Sequence, residues 1–104
     1  MEIIPTSNGE IELWLSSEPE NFRTIAEFVK NFLGGEWLKQ ADGLDQSYWE
    51  LSVEGQTITV HREHYLGVAI FTRESEPTRR LLEKVKAFFD EKSKQGGAQS
   101  AGPA

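Results

Sequence analysis

At 104 residues the chain supports one domain with one modest core, and its 38% hydrophobic and 27% charged residues match a soluble globular protein rather than a disordered one. Zero cysteines exclude disulfides, thiolate metal sites and cysteine nucleophiles, and no apolar run approaches the roughly 18 residues of a membrane span. Asp and Glu total 17 against 11 Lys and Arg, giving a net charge of −6 without a basic stripe, which disfavours nucleic acid and points to solubility or to a basic partner.

The N-terminus, MEIIPTSNGE, has no basic region followed by an apolar one, so no secretory signal is read and a cytoplasmic location is expected. Glu2 to Pro5 suits a short edge strand, because Pro5 cannot donate to a central ladder. Asn8-Gly9 predicts a tight hairpin turn into a strand over Glu10 to Ser16, with Ile11, Leu13 and Leu15 inward and Glu10, Glu12 and Trp14 outward. Ser17-Glu18-Pro19-Glu20 reads as a helix start, with Ser17 as the cap and Glu20 reaching back. Phe22, Ile25, Ala26, Val29, Phe32 and Leu33 form its apolar stripe, and Gly34-Gly35 ends it.

Glu36 to Ala41 follows as a strand, then a loop through Gln46. Three alternating runs come next, over 47–54, 57–61 and 68–73, separated by glycine-containing turns. They predict an antiparallel meander with one buried face. Trp49, Leu51, Val53, Ile58, Val60, Val68 and Ile70 point inward. Tyr48, Glu50, Ser52, Glu54, Thr57, Thr59, His61, Ala69, Phe71 and Arg73 point outward. Ser75-Glu76-Pro77 starts a second helix over 76–93, with Leu81, Leu82, Val85, Phe88 and Phe89 as its stripe and fraying expected near Lys92 to Lys94. The expected organisation is a single α+β domain over 1–94 and a flexible tail over 95–104. It should form a two-layer sandwich, an antiparallel sheet of about 4–6 strands with both helices on one face.

The two histidines, His61 and His64, flank Glu63 and form the one cluster suggesting metal or acid–base chemistry. Their spacing straddles a strand end and a turn, and zinc would want a further ligand. The chain carries no GxSxG, phosphate loop or calcium-loop spacing, so no cofactor and no metal is expected. The outer sheet face is the stronger candidate. Trp14, Tyr48 and Phe71 stand where water is expected, with Glu12, Glu50 and His61 among them. Aromatics anchor protein interfaces and carboxylates steer a basic partner. Cross-strand stabilisation of the sheet, or burial in a homodimer, are the alternatives.

The segment YWELSVEGQTITVHREHYLGVAIF, with its YWE strand and HxEHYxG turn, resembles the middle of a family of small bacterial proteins of uncharacterised function. In size, acidity and lack of catalytic motifs the chain is also similar in type to toxin-neutralising immunity proteins. That similarity implies a non-enzymatic protein-binding module and a basic protein partner. The alternatives are a small metal-dependent or acid–base enzyme centred on His61, Glu63 and His64, or a homodimeric structural domain.

Overall fold

The computed structural model describes the backbone of residues 1–101 and the side chains of residues 1–93. In chain order the elements are β1 (Ile3–Pro5), β2 (Glu10–Ser16), a 3-10 turn (Pro19–Asn21) leading into α1 (Phe22–Leu33), β3 (Glu36–Asp42), β4 (Gln46–Val53), β5 (Gln56–Glu63), β6 (Gly67–Arg73) and α2 (Glu76–Ala101). The six strands make one antiparallel sheet in the order β1-β2-β6-β5-β4-β3. α1 carries the chain from β2 across to the far edge, and the β3–β6 meander then returns it to β2.

The alternation sets which face is covered. Ile11, Leu13, Leu15, Trp49, Leu51, Val53, Ile58, Val60, Val68 and Ile70 are buried together with Phe22, Ile25, Ala26, Val29 and Leu33 of α1 and Leu81, Leu82 and Val85 of α2. Both helices therefore lie on one face of the sheet, in a two-layer α+β sandwich. A slip of one residue in any strand would exchange this apolar set for the polar one. Trp49 is gripped edge-on by Phe22 at 4.9 Å and by Trp37 at 5.3 Å, and its indole N–H donates to Asp42 Oδ1 at 2.9 Å. Phe28, Phe32, Phe88 and Phe89 close the seam between the helices, with Phe28 and Phe88 4.6 Å apart.

The start of the first helix departs from expectation. Ser17 caps nothing: Ser16 Oγ instead accepts from the Glu18 N–H at 3.0 Å, and neither Glu18 nor Asn21 makes a side-chain cap bond. Pro19 opens a 3-10 turn here, so the chain tightens before α1 and moves Ser17 out of the capping position. The other end behaves as read. Gly34 takes φ +71°, and its N–H and that of Gly35 both donate to the Lys30 carbonyl. At α2, Ser75 and Thr78 cap reciprocally, the Thr78 N–H to Ser75 Oγ at 3.2 Å and the Ser75 N–H to Thr78 Oγ1 at 2.9 Å. The α2 backbone stays helical to Ala101, past the expected fraying near Lys92 to Lys94. Of the tail expected over 95–104, the side chains and residues 102–104 lie outside the described residues.

The first hairpin is wider than a tight two-residue turn. Thr6 to Gly9 connect its strands, the Thr6 N–H donates to the Glu10 carbonyl at 2.8 Å, and only Gly9 has positive φ. The β4–β5 hairpin is the tight one: Glu54 (φ +50°) and Gly55 (φ +80°) give the type I′ combination. Among the described residues no helix is long and apolar enough to cross a membrane.

Candidate functional site

Antiparallel register sorts the uncovered face into rows. One row runs Trp14 (β2), Ala69 (β6), His61 (β5), Tyr48 (β4) and Ala41 (β3). The adjacent row runs Ile4, Glu12, Phe71, Thr59, Glu50 and Lys39. All six residues singled out from the pattern, Trp14, Tyr48, Phe71, Glu12, Glu50 and His61, thus fall in two neighbouring rows. None of them belongs to the buried cluster beneath the helices. Glu54, read on the same face, instead sits in the β4–β5 turn.

The rings touch one another. Tyr48 stacks on His61 with centroids 4.4 Å apart and 10° between planes, and Phe71 meets His61 edge-on at 5.9 Å. Trp14 lies 6.4 Å from His61 even though β6 runs between their strands. Ala69 explains that closeness: it places only a methyl between them, and the rings cover it to 1% exposure. Trp14, His61 and Phe71 are half-buried, whereas Tyr48 keeps 39% of its surface exposed.

Charge is uneven across this face. Glu10 stands opposite Arg73 and Glu50 opposite Lys39, but Glu12 faces Phe71, and Glu63 faces Gln46 and Gly67. The ion pairs found among the described residues, Met1–Asp90, Arg79–Glu74, Arg80–Glu76 and Lys86–Asp90, all lie off this face. Glu12 accepts a long hydrogen bond, 3.4 Å, from the Trp14 indole. His61 is central to all of this. Its Nε2 is buried and has no hydrogen-bond partner among the described residues. Burial pushes its pKa below the ordinary 6.5, against the opposing pull of Glu63 and Glu12.

The second histidine sits elsewhere. His64 lies exposed in the β5–β6 turn against Tyr65, and its N–H donates to the Asp45 carbonyl at 2.8 Å. Glu63 ends β5 on the same face as His61. Among the described residues no group of three or more His, Asp or Glu side chains is placed to hold a metal.

Two features were not legible from alternation. The first is an apolar rim where the β3–β4 and β5–β6 loops meet. Leu44 is 97% exposed, Tyr65 83% and Leu66 61%, and Leu66 borders a groove of about 590 Å³ that also includes Trp14 and Glu12. Loops carry no periodicity, so only the excess of large apolar residues at the turns hinted at it. The second is a polar knot beneath that rim, where Arg62 donates to Ser47 Oγ at 3.2 Å and to the Gly43 carbonyl at 2.9 Å. Arg23 lies over the Trp49 ring at 5.4 Å nearby. Comparison of the chain with family models, with curated proteins and with solved structures returned no match.

Proposed function

We propose that the chain is a non-enzymatic protein-binding module that uses the uncovered sheet face, and that its partner is a basic protein. Neutralisation of a basic toxin in the manner of an immunity protein is the concrete form of this reading. The observation that carries it is the two-row arrangement of touching, half-exposed rings with carboxylates set among them. Large rings desolvate readily and anchor interfaces. Carboxylates around them raise the rate at which a cationic surface arrives. A net charge of −6 acts in the same direction.

The test uses Trp14→Ala, Tyr48→Ala and Phe71→Ala, each measured for melting temperature and for capture of a partner from lysate. For a binding face, truncation weakens capture by about 2 kcal/mol or more and leaves the fold intact. Were the rings there only to brace the sheet, each variant would lose about 0.2–1 kcal/mol of stability per pair and still capture the partner. That second result would end the proposal. A captured protein that is toxic when expressed alone and harmless beside this chain would establish the immunity form. Self-capture, seen as a dimer in solution that Phe71→Ala dissociates, would replace it with a homodimer.

A further inference from the structure

Tyr48 is the most exposed ring of the face, and its two sides differ. One lies flat on His61. His61 stands on β5, to one side of β4, so the uncovered side of Tyr48 turns toward β3, where its register partner is Ala41. There it borders an open groove of about 500 Å³, together with Ala41, Leu44, Asp45 and Gln46. Ala41 leaves a shallow apolar floor and Leu44 supplies an exposed aliphatic wall. The Tyr48 hydroxyl is engaged by the Gln46 side chain, which keeps the ring upright beside the groove.

One carboxylate borders the same space, that of Asp45, which forms no ion pair among the described residues; the Asp42 carboxyl is turned to the helix-covered face, where it accepts from the buried Trp49 indole. The imidazole behind Tyr48 is held toward its neutral form by burial and opposes no incoming cation.

We infer that this groove is an arginine subsite: it receives one arginine side chain of a protein partner, with the guanidinium on the free side of Tyr48, Asp45 beside it, and the alkyl stem along Ala41 and Leu44. The inference rests on the protein-binding reading and specifies the partner's chemistry. Arginine fits better than lysine because its planar, weakly hydrated head stacks on an aromatic face while still meeting a carboxylate. An apolar anchor would fit the floor but would strip water from the uncompensated Asp45 carboxylate.

The test titrates the isotope-labelled full chain with N-acetyl-arginine amide, N-acetyl-lysine amide and N-acetyl-citrulline amide, the last a neutral shape match. Saturable shifts at Tyr48 and Leu44 are expected with arginine, about fivefold tighter than with lysine, equivalent to about 1 kcal/mol. Citrulline should give none. Asp45→Asn should weaken arginine binding about fivefold, and Tyr48→Leu should abolish it. Tyr48→Phe, which keeps the ring, should retain it and covers the case in which the leucine variant fails to fold. Lys84→Ala, on the exposed side of α2 and far from this face, should leave the titration unchanged. Equal shifts for all three amides, shifts that never saturate, or binding that survives Tyr48→Leu in a folded chain would overturn the subsite. If Trp14→Ala loses a captured partner while arginine shows no preference, the subsite falls and the binding face stands. Arginine preference without any captured partner leaves the subsite and removes the binding face.

Discussion

Replacing His61 by phenylalanine should make the protein more stable, and increasingly so in acid. In the native chain Nε2 is the one buried side-chain nitrogen or oxygen without a partner among the described residues. Leaving such an atom unpaired costs about 1–3 kcal/mol, and a half-buried ring belongs near the lower end, about 1 kcal/mol. Phenylalanine preserves the stack on Tyr48 and the edge contact with Phe71 while deleting the stranded nitrogen. For a chain of this size a gain of about 1 kcal/mol raises the melting temperature by about 4–8 °C.

The pH dependence follows from the direction of the His61 shift. Burial lowers its pKa in the fold below the 6.5 it has when unfolded. Its neutral form is therefore the favoured one in the native state. Above 6.5 that contribution is fully present, and it is lost as pH falls through the folded value, because the unfolded chain takes the proton first. Phenylalanine removes the linkage. Glu12, Glu50, Glu63 and Arg62 are common to both proteins, so their effects largely cancel in the difference. Thermal melts of both chains at about pH 8 and about pH 5 should show the variant ahead at the first and further ahead at the second. A variant less stable at both, or a constant gap, would mean that Nε2 is satisfied in solution and that His61 is an ordinary member of the sheet.

Other substitutions test the frame around the face. Gly67→Ala should cost more than about 3 kcal/mol or prevent folding, since φ is +117° and the new Cβ would lie 2.0 Å from the Ser16 carbonyl oxygen; chemical denaturation measures it. Glu54→Asn should stabilise by about 0.5–1 kcal/mol, because asparagine tolerates the positive φ of the type I′ turn better than glutamate; an unchanged urea midpoint would refute this. Glu12→Lys and Glu50→Lys should slow association with the captured partner and flatten its salt dependence; Glu12→Lys should leave stability within about 0.5 kcal/mol of wild type, whereas Glu50→Lys, which sets two lysines opposite each other at Lys39, should lower it by about 0.2–1 kcal/mol. Stopped-flow binding at two ionic strengths reads this out, and an effect confined to dissociation would place both charges in contact with the partner.

Strand faces were legible because period-two alternation reports them directly: Ile11, Leu13 and Leu15 could not all be buried unless Glu12 and Trp14 were turned outward. Once strands pair in register, the rows that collect Trp14, His61 and Tyr48 follow. Pairing itself was not legible. β2 and β6 are neighbours although 50 residues lie between them, and nothing in their composition announces the match. The bulges between Trp14 and Ser16 and between Trp37 and Lys39 were equally silent. The second explains the weak alternation of β3, since the extra residue, Leu38, breaks the period. At the helix start the motif Ser17-x-x-Glu20 was present but unused, because a local capping pattern competes with the path the chain takes out of β2. The role of Ala69 as the gap that lets Trp14 approach His61 depends on two register relations at once, and no single strand contains it.

The two aromatic clusters of this protein call for different accounts. Phe28, Phe32, Phe88 and Phe89 sit between two helices, and packing those helices is reason enough for them. The cluster on the opposite face has no second layer above it among the described residues. Cross-strand pairs there contribute about 0.2–1 kcal/mol each, but valine or threonine on the same strands would brace the sheet without stranding His61 Nε2 and without leaving Glu12 and Glu63 opposite apolar or neutral neighbours. Those features each cost stability. The face is also of suitable size: strands about 4.8 Å apart and about seven residues long give about 650 Å² in plan, and side-chain relief brings this near the roughly 800 Å² a side of a standard interface. A surface with an unpaired imidazole nitrogen at its centre and an area near one partner's share of a standard interface fits the proposed binding role, and bracing alone leaves both features without a reason.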